Sequence, residues 1–168
     1  MLGLPKGEVF LAPWTHTWQQ EFQLEKEKIQ QGLQQYILEI HHIGSTAVEG
    51  ISAKPIIDIA VVLHDFHDGG HCVSHLESLG YAYRGTNILP ERHYFNKGEP
   101  RTHQIHMYEK GSRFLMEQLM FRDYLRNNQD AKRDYEELKI QLSNANKHNK
   151  HKYAEEKTEF VRSVLERI

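Results

Sequence analysis

The chain has 168 residues, of which 39% are hydrophobic and 26% are charged, and this composition excludes a disordered protein. Its formal net charge of −2 at pH 7 excludes a strong overall attraction to nucleic acid or to an anionic membrane. Cys72 is the single cysteine, so an intrachain disulfide is excluded and a reducing, cytoplasmic location is favoured. We expect one domain over residues 1–168, without a signal peptide or a membrane-spanning segment.

The first half of the chain alternates between helical and extended patterns. Large apolar side chains recur at helical spacing over residues 14–35, which predicts a helix. Residues 36–43 are rich in Ile and Tyr and predict a first strand, and the apolar run 56–63 predicts a second. A short helix is predicted over residues 71–80, with Gly80 as its C-cap.

The second half of the chain begins with strands and ends with helices. Residues 81–84, 92–96 and 101–109 predict three strands, the last two joined by a turn. Gly111-Ser112 opens a helix that ends at Asn127-Asn128, and Asp130 is expected to cap the next helix. A last helix is predicted over residues 152–167. This order of elements predicts an α/β (α+β) fold with a mixed sheet.

The chemistry is concentrated where the first predicted strand meets the second. Gly44-Ser45 follows the first strand, and free N–H groups at such a turn hold phosphate well. Asp58 lies in the second strand, which is otherwise too apolar to accept a carboxylate without a reason. The pattern therefore predicts a phosphate-binding turn beside a functional acid.

Two runs of sequence around this point resemble the GrpB (UPF0157) family of bacterial proteins. They are His42-Ile43-Gly44-Ser45-Thr46-Ala47-Val48, followed by Gly50, and Ala53-Lys54-Pro55-Ile56-Ile57-Asp58-Ile59. Further matches are Trp18 with Phe22, the runs 101–106 and 121–126, and Tyr153 with residues 157–160. The resemblance implies a nucleotidyltransferase-like fold, a mixed β-sheet flanked by helices with additional C-terminal helices. Relatives also resemble a domain fused to dephospho-coenzyme A kinase, which implies a link to nucleotide or coenzyme A metabolism.

The resemblance also implies roles for particular residues. The ligand is expected to be a nucleotide or a small phosphorylated molecule, and transfer of a nucleotidyl group would need a divalent metal such as Mg, Mn or Zn. Asp58 is the expected catalytic residue, and it is the expected metal ligand together with His106 and His42. The residues expected to contact phosphate are Gly44, Ser45, Thr46, Lys54, Arg92, Arg101 and Lys157.

Two positions depart from an active transferase. Ala60 stands where a second carboxylate is usual, and Gln104 stands where relatives more often have histidine. Three alternatives follow: a nucleotide-binding transferase, a degenerate fold kept as a binding or accessory module, and another metal-dependent chemistry, such as hydrolysis, at Asp58 and His106. The alternative interpretation of His106 is a core histidine hydrogen-bonded to Asp58.

Overall fold

The structure is a computed structural model that describes residues 2–168. Within them, five strands form a mixed sheet in the order β1-β2-β5-β4-β3, in which β2 and β5 are parallel and the other neighbours are antiparallel. The strands are β1 (Ile37–Ile43), β2 (Ile57–Leu63), β3 (Tyr81–Gly85), β4 (His93–Lys97) and β5 (His103–Glu109). The helices are α1 (His16–Gln30), α2 (Gly69–Ser78), α3 (Arg113–Arg126), α4 (Gln129–Ala145) and α5 (Lys150–Arg167). The predicted fold class, α/β with a mixed sheet and additional C-terminal helices, is confirmed.

Polar caps place the helix ends a few residues from where the sequence predicts them. The Thr15 hydroxyl accepts from the Thr17 amide, so α1 begins two residues later than expected. The side chain of Asn128 accepts from the Ala131 amide and caps α4, so the prediction that Asp130 is the cap was wrong. Asp130 instead lies in the first helical turn, where its negative charge suits the helix dipole.

The sheet is covered on both faces. Alternate residues of β2, Ile57 to Leu63, point into a core formed with α1 and α2. On the opposite face, Ala60 and Val62 pack with Tyr108 and with Leu115 of α3. Helices α3, α4 and α5 pack on one another and on the segment that contains Val48 and Ile51.

This arrangement leaves one end of the second face beside the C-terminal helices. Asp58 and Gln104 lie opposite each other near the starts of β2 and β5. The same end receives the turn that leaves β1, because Ile43 pairs with Asp58. Among residues 2–168, no helix is both long enough and apolar enough to span a membrane.

Candidate functional site

The turn after β1 is shaped by a glycine. Gly44 has φ +74° and ψ −178°, a conformation that only glycine adopts without strain. A Cβ atom at Gly44 would lie 2.8 Å from Oδ2 of Asp58, so the close approach also requires glycine. Thr46 is buried, and its hydroxyl donates to the Ile56 carbonyl at 3.3 Å and lies 2.9 Å from His42 Nε2. Thr46 therefore braces the turn, whereas Gly44 and Ser45 are partly exposed beside Asp58.

Asp58 and His106 form a hydrogen-bonded pair, and the Arg92 guanidinium contacts the other ring nitrogen of His106. His106 Nε2 lies 3.2 Å from Asp58 Oδ1, and Arg92 Nη1 lies 3.3 Å from His106 Nδ1. Arginine has only donors, so Nδ1 is the acceptor and the Nε2 proton is directed to Asp58. Arg92 is buried, with its guanidinium over the rings of Tyr108 at 4.9 Å and Phe114 at 5.7 Å. Arg92 thus supports the pair from within the protein.

Gln104 extends this network across the sheet. With both ends of its amide paired, Gln104 donates from nitrogen to Asp58 Oδ1 at 2.9 Å. Its oxygen accepts from the Tyr94 hydroxyl at 3.2 Å and from Arg101 Nη1 at 3.2 Å. Oδ1 of Asp58 therefore accepts from both Gln104 and His106, and Arg101 is held at the same end of the sheet.

The three expected metal ligands do not converge. His42 and Asp58 lie on opposite faces of the sheet, because Asp58 pairs with Ile43 and side chains alternate along a strand. The His42 ring stacks on Phe22 of α1, with centroids 4.8 Å apart. Within residues 2–168, no group of three or more His, Cys, Asp or Glu side chains is arranged to hold a metal ion. The Nε2–H assigned to His106 from its contact with Arg92, and the alanine at position 60 where a second carboxylate is usual, also do not fit a two-metal centre.

Three lysines lie at the edge of this site and form what we term the lysine cluster: Lys54, Lys139 and Lys157. The ammonium groups of Lys54 and Lys157 lie 5.3 Å and 5.6 Å from the centre of the Tyr153 ring. Lys139 is 1% exposed; its Nζ donates to the Ser52 carbonyl at 2.6 Å and lies 4.9 Å from the Tyr135 ring centre. Among the described residues, none of the three forms an ion pair with an acid.

The pKa values of two of the three lysines, Lys54 and Lys139, reflect this shortage of negative charge. Burial lowers the pKa of Lys54 to about 7; Lys157, Lys150 and Arg101 act in the same direction, against Asp58. Burial and the charges of Lys157 and Lys54 lower the pKa of Lys139 well below its ordinary value, against Glu136. Burial opposes the charge of Lys157 as well, but Tyr135, Tyr153 and Asp58 raise its pKa. The three lysines therefore influence one another, and Asp58 acts on Lys54 and Lys157.

Lys139 is the member of the lysine cluster that was not predicted from the sequence. It follows the buried Tyr135 by one helical turn on α4 and precedes the buried Ser143 by another. A lysine on the inward stripe of a helix is unusual, because lysine is rarely fully buried without a partner. That spacing was the available signal, although it does not reveal that α5 and the Ser52–Lys54 segment complete the cluster.

The fold and the site together define a mixed α/β protein in which a glycine turn lies against the Asp58 carboxylate, beside three lysines that form no ion pair within residues 2–168. The sequence model described as "GrpB protein" matches residues 8–167, and this chain belongs to the GrpB family.

Individual relatives agree with this assignment. The chain is 34% identical to the UPF0157 protein YqkA of Bacillus subtilis over 96% of its length, and it spans 48% of that protein. It is 33% identical to the glutamate-rich protein GrpB of Alkalihalophilus pseudofirmus, with 98% of each chain covered. The crystal structure of the conserved protein GrpB from Enterococcus faecalis superimposes with a TM-score of 0.88 at 32% identity, covering 94% of this chain and 96% of that one.

Proposed function

We propose that this protein binds a nucleotide or another phosphorylated small molecule at the end of the sheet, between the Gly44-Ser45 turn and the lysine cluster. The observation that carries the proposal is the lysine cluster, because three half-buried or buried ammonium groups lie together without an acid partner among the described residues. Burying a charge without a counter-charge is costly, and a bound anion would remove that cost.

The geometry around the cluster favours phosphate as the anion. The Gly44-Ser45 turn is partly exposed and lies against Asp58. The negative charge of Asp58 favours the protonated forms of Lys54 and Lys157 and so acts to raise their pKa values. Backbone N–H groups at such a turn and ammonium groups from a neighbouring helix are a common combination for holding phosphate. Arg101, held by Gln104, supplies a further cation on the same side.

Transfer of a nucleotidyl group is the second candidate. The observation in its favour is the Asp58 carboxylate, whose side chain is 27% exposed and whose Oδ2 faces Gly44. That oxygen would contact a divalent metal brought in with the ligand phosphates, which is the usual way Mg²⁺ joins a nucleotide site. Because Ala60 stands where a second carboxylate is usual, we rank binding without catalysis first, which corresponds to an accessory module.

Calorimetric titration of ATP, ADP and inorganic diphosphate, first in EDTA and then with Mg²⁺, tests the proposal. The wild-type protein should bind at least one of them in EDTA. Lys54→Gln and Lys157→Gln should each weaken binding about tenfold, the loss expected for a charge-assisted hydrogen bond. The matched control is Lys152→Gln, which removes a 61% exposed lysine from the same helix as Lys157 and should leave the affinity unchanged.

The outcomes separate the two candidates. No binding of any of the three ligands at about 1 mM, or equal losses in Lys152→Gln and Lys157→Gln, would contradict the phosphate proposal. Binding of ATP that requires Mg²⁺ and is lost in Asp58→Asn would favour the transferase candidate over the accessory one.

A further inference from the structure

A separate cleft of about 320 Å³ lies on the outer side of β1, away from the lysine cluster. It runs between α1 and α3 around the edge of the sheet, since β1 is an edge strand within residues 2–168. The side chains that line it come from three elements: Gln19, Phe22, Gln23, Ile40, His41, His42, Arg122 and Arg126. The volume suits a small ligand rather than a macromolecule.

Two arginines one helical turn apart make the cleft cationic. Arg122 Nη1 donates to the His42 carbonyl at 3.1 Å, and Arg126 donates from Nε and Nη2 to the Ala47 carbonyl at 3.0 Å and 2.8 Å. Arg122 also pairs with Asp123, whereas Arg126 forms no ion pair among the described residues. The Ala47 carbonyl fixes Arg126 without neutralising it, whereas Asp123 offsets the charge of Arg122.

Arg126 keeps donors for a ligand. A guanidinium carries five N–H groups, and the two bonds to Ala47 use Nε and Nη2, which leaves the Nη1 hydrogens. Because α3 holds both arginines on backbone carbonyls, they are preorganised and lose little conformational entropy on binding an anion. A planar guanidinium with free hydrogens matches carboxylate and phosphate oxygens.

The opposite wall is polar at its rim and aromatic at its base. Gln19 and Gln23 are exposed on α1 and supply uncharged amides, and the stacked rings of Phe22 and His42 form a flat surface. Burial, with Arg126 and Arg122 acting in the same direction and Asp58 opposing them, lowers the pKa of His42 to about 4, so its imidazole is neutral at pH 7. Two acids contact lining residues: Asp123 pairs with Arg122, and Glu39 Oε2 lies 2.7 Å from His41 Nε2.

The geometry points to a second ligand site in this cleft, for a small organic oxyanion whose charged group meets Arg122 and Arg126 and whose flat body lies on Phe22. This site is independent of the proposed phosphate site. It does share one element with it, because Arg126 holds the carbonyl of Ala47, and the same short turn begins at Gly44.

Chemical-shift mapping by NMR tests the site with three probes of similar shape: benzoate, phenyl phosphate and the neutral benzamide, at constant ionic strength. We expect saturable shifts of the Ala47 amide and of the Gln19 and Gln23 side-chain amides with one or both anions and none with benzamide. The comparison of benzoate with phenyl phosphate identifies which oxyanion the arginines prefer. Shifts of the lysine cluster and of Gly44 and Ser45 without shifts of the Gln19 and Gln23 side-chain amides would place the anion at the other site and overturn this inference.

A pair of charge variants on α1 makes the test specific. Gln19→Glu adds a carboxylate to the wall of the cleft without removing a buried contact, and it should weaken anion binding about fivefold. Gln20→Glu adds the same charge to an exposed position of the same helix that does not line the cleft, and it should change affinity less than about twofold. Arg126→Gln should abolish binding. Equal effects of Gln19→Glu and Gln20→Glu, or equal binding of benzamide and the anions, would overturn the inference.

Discussion

Two regions of this protein bury lysine side chains, and they do so in opposite ways. On the α1 side of the sheet, Lys97 Nζ lies 2.6 Å from Glu25 Oε1, and the Tyr81 hydroxyl donates to the same oxygen at 2.8 Å. In the lysine cluster, Lys139 donates to the Ser52 carbonyl and meets no acid within ion-pair distance among residues 2–168.

This difference distinguishes a buried lysine that stabilises the fold through an ion pair from buried lysines that do not. Burial raises the pKa of Glu25, but hydrogen bonds from Lys97 and Tyr81 outweigh it and hold the pKa below its ordinary value, so Glu25 is a charged partner. Lys97 and Glu25 therefore balance each other's charge within the chain. The lysine cluster has no such partner in the part of the chain that the structure describes, and we infer that its counter-charge is supplied by a ligand.

The largest effect on stability is expected when the ion pair between Lys97 and Glu25 is broken. Glu25→Gln leaves Lys97 without its counter-charge and should lower the free energy of unfolding by about 3 kcal/mol, the low end for a broken buried pair, since 22% of the Lys97 side chain is exposed. Urea denaturation measures this. Glu27→Gln, an exposed substitution on the same helix, should change stability by less than about 0.5 kcal/mol. A loss in Glu25→Gln no larger than in Glu27→Gln would mean that the pair is not structural.

The next effect concerns the turn between the two regions. Gly44→Ala should cost about 2 kcal/mol in unfolding free energy, because alanine is strained at φ +74° and its Cβ would meet Asp58. Gly50→Ala is the matched control: its φ is +90°, but no atom lies within 4 Å of the added Cβ. Only Gly44→Ala should also weaken diphosphate binding in calorimetry. The same loss of diphosphate binding in both variants would mean that the close approach of Gly44 to Asp58 is not needed for binding.

A smaller effect on stability is expected in the lysine cluster. Lys139→Met removes a buried charge that has no acid partner, and it should change the free energy of unfolding by less than about 1 kcal/mol while weakening diphosphate binding. The same substitution at Lys97 isolates Glu25 and should be clearly destabilising in the same urea experiment. If Lys139→Met were as destabilising as Lys97→Met, Lys139 would be a structural residue like Lys97.

The smallest effect is a pH dependence that only the lysine cluster should show. The pKa of Lys54 is lowered to about 7, so Lys54 loses its proton as the pH rises through 7, and binding of a divalent anion should weaken. Sulfate is a suitable probe in calorimetry, because its charge does not change between about pH 6 and 9. Lys54→Arg keeps the charge and should flatten the profile.

Stability without ligand should change in the opposite direction. Between the lowered pKa of Lys54 in the folded state and the ordinary pKa of lysine, the unfolded state binds more protons, so the free energy of unfolding should rise with pH above 7. Sulfate affinity that is constant from about pH 6 to 9 in the wild type would contradict the role given to Lys54.

The fold could be predicted from the sequence because its patterns are local. The apolar run of β2, the apolar face of α3 and the resemblance around Gly44 and Asp58 each depend on neighbouring residues. The α4 cap was misassigned because Asn128 and Asp130 are both good caps, and only the backbone conformation decides between them.

The site was predictable only in part because its residues are distant in the chain. Gly44, Asp58, His106, Lys54 and Lys157 lie at one end of the sheet as expected, but strand alternation places His42 on the other face. Lys139 was missed because its proximity to Lys54 and Lys157 depends on how α4 and α5 pack, which no local pattern specifies. The cleft at Arg126 likewise exists only after α1 and α3 meet across β1.

The most direct measurement is NMR of protein labelled with ¹³C at the ε-carbon of lysine, during titration with inorganic diphosphate. If the lysine cluster is an anion site, the signals of Lys54, Lys139 and Lys157 should move together with one dissociation constant, while the signal of Lys97 stays fixed beside Glu25. Signals of the three lysines that do not move up to about 10 mM diphosphate, or that move no more than those of Lys97 and the exposed lysines, would contradict the account.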